Sequence, residues 1–333
     1  MKKILFILLL IVGLADAFAQ KSKYPTKFTV AQDGSGDFKT IQEAIMAFRD
    51  HSQERVTLFI KNGIYHEKIV IPPNKPNLHL LGESSGGVII TNDDYSGKVY
   101  PNGQKDATGK SQFSTYNSFT VLVDAPDIII ENLTIQNTSG RVGQAVALHV
   151  EGDRFICKNC LILGNQDTLY AAREGSQQYY VDCQIEGTTD FIFGKSICVF
   201  EKCIIKSLSN SFITAAATPA YQAYGFVFLD CKLTADSSAQ KVYLGRPWRP
   251  YSKTVFIRTE MDSHILPIGW NNWGNTDNEK TVLYAEYASY GSGANMAQRV
   301  AWSRQLKKKE ADNYSLERIF GSRDTIKNWW KKL

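Results

Sequence analysis

Short apolar segments of one pattern recur through the middle of the chain. Each is short, is rich in Ile, Val, Phe and Tyr, and lacks a helical period, which predicts a β-strand. The copies are IIIENLTI (128–135), FICKNCLI (155–162), YYVDCQI (179–185), VFEKCII (199–205) and VFLDCKL (227–233). They align on Leu133, Cys160, Cys183, Cys203 and Cys231, and the intervals between these positions are unequal. Unequal intervals indicate loops of varied length on one constant strand.

The spacing of these strands predicts an all-β fold, a right-handed parallel β-helix in which each coil stacks on the previous one. A βαβ fold also repeats strands. The segments LGNQDTLYAAREGSQQ and EGTTDFIFGKSI, however, leave no room for a crossover helix with its loops. A β-sandwich and an α/β fold are the alternatives. In a β-helix, equivalent positions of neighbouring coils lie about 4.8 Å apart.

The N-terminal part of this region has a different pattern. The stretch FTVAQDGSGDFKTIQEAIMAF predicts a strand over 28–32, a Gly-rich turn and a helix that opens with the capping box Thr40-x-x-Glu43. Such a helix can cover the open end of a stack of coils. Its apolar face consists of Ile41, Ala44, Ile45 and Phe48.

At the other end of the chain, DTIKNWWKKL (324–333) is short and basic and contains Trp329 and Trp330. The pattern predicts a helical tail packed back onto the domain. Binding of this segment to a membrane surface is the alternative.

The N-terminus of the chain has the three parts of a secretory signal peptide. Lys2 and Lys3 precede the apolar run 4–14, and the small-residue pattern of a cleavage site ends at Ala19. We therefore expect residues 1–19 to be removed and 20–333 to form a single exported catalytic domain, either periplasmic or secreted. An uncleaved membrane anchor is the alternative.

The net charge of the chain limits the classes of partner that the sequence suggests. The formal net charge of +5 on 333 residues is mild, so nothing suggests a nucleic-acid protein, while an acidic substrate would fit.

The repeat cysteines would stack as small apolar side chains inside the coil, and Cys157 and Cys198 fall outside this ladder. A disulfide, most simply Cys183–Cys203, stays open in an exported protein. We expect no zinc site, because His is scarce and paired C-x-x-C units are missing.

Two aspartates occupy matched positions in the repeat. Asp167 in GNQDTLY and Asp190 in GTTDFIF each follow an equivalent cysteine, Cys160 and Cys183, at the same distance along the chain. The β-helix therefore places them on adjacent coils at one point of the cross-section. Two carboxyls so close together titrate as a coupled unit, in which one keeps its proton to higher pH. The alternative is that both only cap turns.

Two glutamines and an arginine fall near this pair. Gln144 precedes Asp167 by the interval that separates Asp167 from Asp190, so we expect it one coil below Asp167, with Gln166 adjacent in sequence. Two amide donors at one point could stabilise an oxyanion. Arg246 in LGRPWRP could reach across and hold one carboxylate ionised. Solvated amides and a surface ion pair are the alternatives.

With these residues in view, the chain resembles the pectin methylesterase (pectinesterase) family. The matching stretches run in order from residue 28 to about 302. They are FTVAQDGSGDFKTIQEAI, GIYHEKIVI, GQAVALHV, GNQDTLY, GTTDFIFG, LGRPW, GWNNW and YAEYASYGSGAN.

The resemblance implies hydrolysis of the C6 methyl ester of galacturonate units in pectin, with release of methanol and without a metal or other cofactor. It implies that Asp190 is the nucleophile and that Asp167 is the acid and then the base. It further implies that Gln144 and Gln166 form the oxyanion hole and that Arg246 orients Asp190. The expected partner is pectin, with neither nucleic acid nor membrane, and the expected state is a monomer.

The resemblance also implies that Phe193, Trp248 and Tyr170 bind substrate. The chain departs from the usual pattern at Asn165 and Thr189, and at Lys195-Ser196. None of these departures removes a catalytic group. They bear on the preferred methylation pattern and on contacts with neighbouring sugars.

Other readings of the aspartate pair stay open. A pectate lyase would need a calcium-binding acidic cluster, and a polygalacturonase would have no need for paired amides. The amides suit an acyl oxyanion better. A silent carbohydrate-binding protein on the same scaffold and an esterase for a different ester are the remaining alternatives.

Overall fold

Three parallel β-sheets make up most of the protein in the computed structural model, which describes residues 24–321 and 328–332. The predicted signal peptide lies outside these ranges. Strands are numbered β1 to β26 in chain order. Sheet A contains β1 Lys27–Val30, β2 Val56–Ile60, β5 Leu78–Gly82, β8 Ile129–Glu131, β11 Phe155–Lys158, β14 Gln177–Val181, β17 Ile197–Glu201, β20 Phe226–Leu229, β23 Lys253–Ile257, β25 Leu283–Tyr287 and β26 Arg304–Gln305.

The other two sheets complete each coil. Sheet B contains β3 Gly63–His66, β6 Val88–Asn92, β9 Thr134–Asn137, β12 Leu161–Leu163, β15 Gln184–Gly187, β18 Ile204–Ser207, β21 Lys232–Ala235 and β24 Glu260–Met261. Sheet C contains β4 Ile69–Ile71, β7 Val121–Val123, β10 Leu148–Val150, β13 Leu169–Ala171, β16 Ile192–Gly194, β19 Phe212–Ala216 and β22 Tyr243–Pro247. From β7 to β22 the chain visits sheets A, B and C in turn.

The register between coils matches the repeat in the sequence. In sheet B, Thr134 pairs with Leu161, which pairs with Gln184, and the series continues through Ile204 to Lys232. Each of these residues directly follows one of the positions on which the repeat copies align, so the pairing steps equal the predicted intervals. The prediction of a right-handed parallel β-helix is confirmed.

The prediction that each repeat copy is one strand is wrong. Every copy contains two strands, one in sheet A and one in sheet B, joined by two residues, of which the first is in the left-handed region with φ between 49° and 62°. One such residue turns the chain sharply between sheets. The corner residue is polar in every copy, but the residue that follows it is buried and resumes the apolar pattern at once, so the pattern does not reveal the turn. The corner residues are Asn132, Asn159, Asp182, Lys202 and Asp230.

Aromatic rings and thiols fill the inside of the coils. Tyr180, Phe200, Phe228 and Phe256 stack from coil to coil, with ring centroids 4.3–4.8 Å apart. The cysteine ladder is buried as predicted, and all six cysteines of the chain are free thiols. Cys157 continues the aromatic row below Tyr180. The structure thus resolves the open question of a disulfide in favour of packing.

A short helix covers the N-terminal coil. Helix α1, Ile41–Ala47, packs on β1, β2 and β4. Thr40 caps it by accepting a hydrogen bond from the Glu43 backbone N–H at 3.3 Å. The carboxylate at this terminus is that of Glu67, which accepts from the N–H groups of Ile41 and Gln42. The predicted capping box assigns the carboxylate to Glu43 instead.

The C-terminal part of the chain covers the outer face of sheet A. Trp329 and Trp330 are buried and pack against Phe320, and the Trp329 indole N–H donates to the Gln177 side chain at 2.9 Å. In the part that the structure describes, the predicted tail over 324–333 therefore packs on the domain, as a 3-10 turn over Trp329–Lys331. Its residues 324–327 and 333 lie outside the described ranges.

The remaining helical elements are short. No helix within 24–321 or 328–332 has the length and apolar character needed to cross a bilayer. The α-helices are α2 Thr276–Glu279, α3 Lys308–Ala311 and α4 Leu316–Phe320, and the other 3-10 turns are Pro101–Gly103, Thr115–Asn117 and Met296–Gln298.

Candidate active site

A row of side chains crosses the outer face of sheet C from coil to coil. The strand register places His149, Tyr170, Phe193, Ala215 and Arg246 side by side in that order. The rings of Tyr170 and Phe193 stack with centroids 4.4 Å apart and an interplanar angle of 9°. The small side chain of Ala215 leaves a gap in the row between Phe193 and Arg246.

A cleft of about 400 Å³ opens over this gap. Seven of the eight site residues predicted from the sequence line it. The eighth, Tyr170, is buried between His149 and Phe193 and supports the cleft wall from below. Trp248 forms the wall beside Phe193, at 6.0 Å between centroids. The lining residues that sequence reasoning missed are Thr115, Tyr116, Ala215 and Trp273.

The two aspartates occupy the corner between sheets B and C. The register is constant across this corner, since Leu161 pairs with Gln184 before it and Leu169 pairs with Ile192 after it, at one and the same interval. Asp167 and Asp190 are therefore neighbours on adjacent coils. Both have left-handed backbones, with φ of 65° and 48°. Asp tolerates this conformation better than most residues, so the corner can carry a carboxyl on each coil.

The expected position of Gln144 needs a correction. Its backbone pairs with Gln166 and not with Asp167. The cause is a longer corner loop in the lower coil, where the chain from Thr134 to Leu148 exceeds in length the equivalent chain from Leu161 to Leu169. Even so, Gln144 and Gln166 lie side by side and both line the cleft.

Asp190 forms a bidentate ion pair. The Arg246 Nε and Nη2 groups donate to the two carboxylate oxygens at 3.0 and 2.7 Å. The side chains are 8% and 21% exposed for Asp190 and Arg246, so water screens the pair weakly. A fork-to-fork pair of this kind fixes both the charge and the orientation of the carboxylate.

The two carboxyls differ in their tendency to ionise. Burial and the neighbouring charge of Asp190 raise the pKa of Asp167 to about 8, against a weaker opposing effect of Arg246. Burial also raises the pKa of Asp190, but its hydrogen bonds and charge attraction to Arg246 act in the opposite direction. Asp190 therefore ionises first, and Asp167 is protonated beside it at neutral pH.

The lip of the cleft comes from the long segment 93–120 between β6 and β7. The Lys68 ammonium holds this segment by donating to the Asn117 carbonyl at 2.6 Å and to Asp94 at 2.8 Å. His149 contacts the Tyr116 carbonyl at 3.2 Å. The segment lies outside the repeat, and no pattern in the sequence indicated that Thr115 and Tyr116 reach the site. Trp273, in contrast, belongs to the GWNNW stretch.

The arrangement suits chemistry at a carbonyl carbon. An ionised carboxylate with a fixed orientation lies next to a protonated carboxyl, and amide side chains share the same cleft. The first can attack, the second can protonate a leaving group, and the amides can bind an oxyanion. No group of three or more His, Cys, Asp or Glu side chains suited to a metal ion occurs in the described part of the chain.

Comparisons with known proteins agree with this geometry. The sequence model of the family described as Pectinesterase matches residues 27–323. Pectinesterase 31 of Arabidopsis thaliana is 37% identical over 287 residues, which cover 86% of this chain and 89% of that protein.

Solved structures give the same result. A pectin methylesterase from carrot superimposes with a TM-score of 0.82 at 31% identity, covering 94% of this chain and 98% of that one. A pectin methylesterase solved in complex with a hexasaccharide gives a TM-score of 0.72 at 29% identity, covering 91% and 98%. The chain therefore belongs to the pectinesterase family.

Proposed function

We propose that the protein is a pectin methylesterase that hydrolyses the C6 methyl ester of galacturonate units in pectin, giving methanol and a free carboxylate. Membership of the pectinesterase family supports this activity. The single observation that carries the assignment of roles is the pairing of an Arg246-bound Asp190 with a protonated Asp167 in one cleft.

In the first half of the reaction, a carboxylate oxygen of Asp190 attacks the ester carbonyl carbon. The negative charge that develops on the carbonyl oxygen is stabilised by amide N–H groups of Gln144 and Gln166. The C–O bond to the methoxy group then breaks, and Asp167 gives its proton to the departing oxygen. Methanol leaves, and an acyl-enzyme anhydride on Asp190 and an ionised Asp167 remain.

In the second half, Asp167 removes a proton from water as that water attacks the acyl-enzyme. The anhydride bond breaks, the sugar leaves with a carboxyl group, and Asp190 returns as a carboxylate held by Arg246. Asp167 is protonated again, so both residues regain their starting states. Neither half needs a group beyond the side chains named here and water.

Phe193 and Trp248 form the wall on which we place the sugar rings, with Tyr170 supporting Phe193. A related pectin methylesterase has been solved with a hexasaccharide, which supports a polymeric substrate for this cleft as well. We expect residues 20–333 to act as one exported, monomeric domain on pectin.

An ester with a good leaving group separates the roles of the two aspartates. The 4-nitrophenyl ester of galacturonate needs no acid for departure, but its acyl-enzyme still needs a base. Asp167→Asn should release about one equivalent of nitrophenol per enzyme and then stall, whereas Asp190→Asn should release none. A burst from Asp190→Asn, or steady turnover by Asp167→Asn, would contradict the assigned roles.

A further inference from the structure

The Arg246 guanidinium lies between two aromatic rings. Its Cζ atom is 3.9 Å from the ring centroid of Phe212 and 3.7 Å from that of Trp273. Phe212 in turn stacks on Tyr243, with centroids 5.0 Å apart and an interplanar angle of 21°. Both faces of the guanidinium are therefore covered, while its edge meets Asp190.

The two aromatic neighbours differ in how firmly they are held. Phe212 belongs to strand β19, is half-buried and is backed by Tyr243. Trp273 lies in the segment between β24 and β25, lines the cleft and is 38% exposed. One face of the guanidinium thus rests on the sheet, and the other is covered by a residue of the cleft wall.

The backbone of Trp273 is unusual. Its φ of 62° is in the left-handed region, which is unfavourable for a bulky residue. Its N–H donates to the Asn271 side chain at 2.8 Å, and the next N–H, that of Gly274, donates to Asn272 at 2.9 Å. The two hydrogen-bonded turns at Asn271 and Asn272 hold the Trp273 indole over Arg246, although the indole contributes little to the hydrophobic core. Backbone strain of this kind tends to occur where a side chain serves a functional site.

We propose that Phe212 and Trp273 are positioning residues that fix the plane of the Arg246 guanidinium and thereby aim the Asp190 carboxylate. The physical reason is that two parallel N–H···O bonds require the guanidinium and the carboxylate to share a plane. Rings on both faces oppose rotation out of that plane, and they also keep water from the ion pair. This inference rests on the proposed function, because it requires Asp190 to be the nucleophile.

Substitution of Trp273 gives the primary test. Trp273→Leu should lower kcat about tenfold, consistent with the loss of one partly buried cation–π contact. KM should stay within about twofold, because the defect lies in the aim of the nucleophile and not in sugar binding. The acidic limb of the pH profile of kcat/KM should move to higher pH. A less ordered Arg246 stabilises the Asp190 carboxylate more weakly, so the pKa of Asp190 rises. Trp273→Phe should restore most of the loss, because it keeps an aromatic face.

Phe212→Leu provides the second arm and should show the same changes in kcat and in the acidic limb. Its folding is checked by its thermal transition, because Phe212 also stacks on Tyr243. Tyr290→Leu is the matched control, since Tyr290 is 56% exposed and lies outside the cleft. It should behave as the parent.

The outcomes separate this inference from the function on which it rests. If Asp190→Asn is inactive while Trp273→Leu keeps the parental kcat and acidic limb, the positioning role is wrong and the proposed function stands. A change in KM alone, or failure of Trp273→Phe to recover activity, also overturns the positioning role. If Asp190→Asn stays active, the proposed function itself is wrong.

Discussion

At the scale of single residues, two aspartates in equivalent positions acquire different chemistry from their neighbours. Asp167 and Asp190 share a corner, a left-handed backbone and burial. Of these two, Asp190 is the one with a hydrogen-bonded cationic partner, Arg246. The repeat therefore supplies two carboxyls side by side, and one arginine from a later coil holds Asp190 ionised. This difference is the basis for proposing Asp190 as the nucleophile and Asp167 as the acid.

The difference between the carboxyls predicts a bell-shaped pH dependence of kcat/KM. In the proposed mechanism the active form has Asp190 ionised and Asp167 protonated, so activity should fall above about pH 8 as Asp167 loses its proton. It should also fall in acid as Asp190 gains one. Because the pair titrates as a unit, the two limbs report macroscopic pKa values. Methanol release measured from pH 4 to 10 provides the check, and a rate that keeps rising beyond pH 9 would exclude a protonated Asp167.

The same pKa predicts a stability effect. In the unfolded chain the Asp167 carboxyl titrates near the usual aspartate pKa of 3.8, whereas in the folded protein its pKa is about 8. Between these values the folded state holds a proton that the unfolded state has lost, so stability falls as pH rises from about 4 to about 8. Asn cannot titrate and keeps the shape of the side chain.

Asp167→Asn should therefore be more stable than the parent by on the order of 2–4 kcal/mol at pH 8 and about equal to it at pH 4. Urea unfolding at pH 4, 6 and 8 measures the difference. A difference that does not change with pH would show that Asp167 is not buried as a neutral acid.

At the scale of elements, the sequence repeat predicts the register of the coils but not their corners. The cysteines mark one position on successive coils, so their spacing equals the pairing interval in sheet B. The turn inside each copy escapes the pattern, because the polar corner residue is followed at once by a buried one. The predicted position of Gln144 is wrong for a related reason. A corner loop of different length changes the number of residues between equivalent positions of neighbouring coils. The apolar pattern gives no information on the length of that loop.

The corner turns predict an unusual response to glycine. Lys202 is exposed and has φ of 52°, a conformation that glycine adopts without strain. Lys202→Gly should thus raise the free energy of unfolding by about 0.5–1 kcal/mol. The matched control is Lys232→Gly, at the exposed first position of β21, which should lower it by about 0.5–1 kcal/mol, including the loss of the exposed Lys232–Glu260 ion pair. Denaturant unfolding compares the two, and a loss of stability in both would contradict the left-handed corner.

At the scale of the whole molecule, the cleft combines the repeat with segments outside it. The coils supply Asp167, Asp190 and Arg246 at positions that repeat spacing and motif resemblance could indicate. Tyr116 and Trp273 come from long connections between strands, whose paths depend on tertiary contacts such as those of Lys68. Spacing along the chain carries no information about such contacts. The aspartates and Arg246 are accordingly more predictable from the sequence than Tyr116 and Trp273 beside them.

The central claim is that the paired aspartates act as an esterase. The most direct test is methanol release from highly methylated pectin by the mature chain, with Asp190→Asn alongside and a chelator present throughout. We predict methanol from the parent, none from Asp190→Asn, and no new unsaturated or reducing chain ends. Cleavage of the pectin chain without methanol would contradict the account, because the scaffold would then serve lyase or glycosidase chemistry.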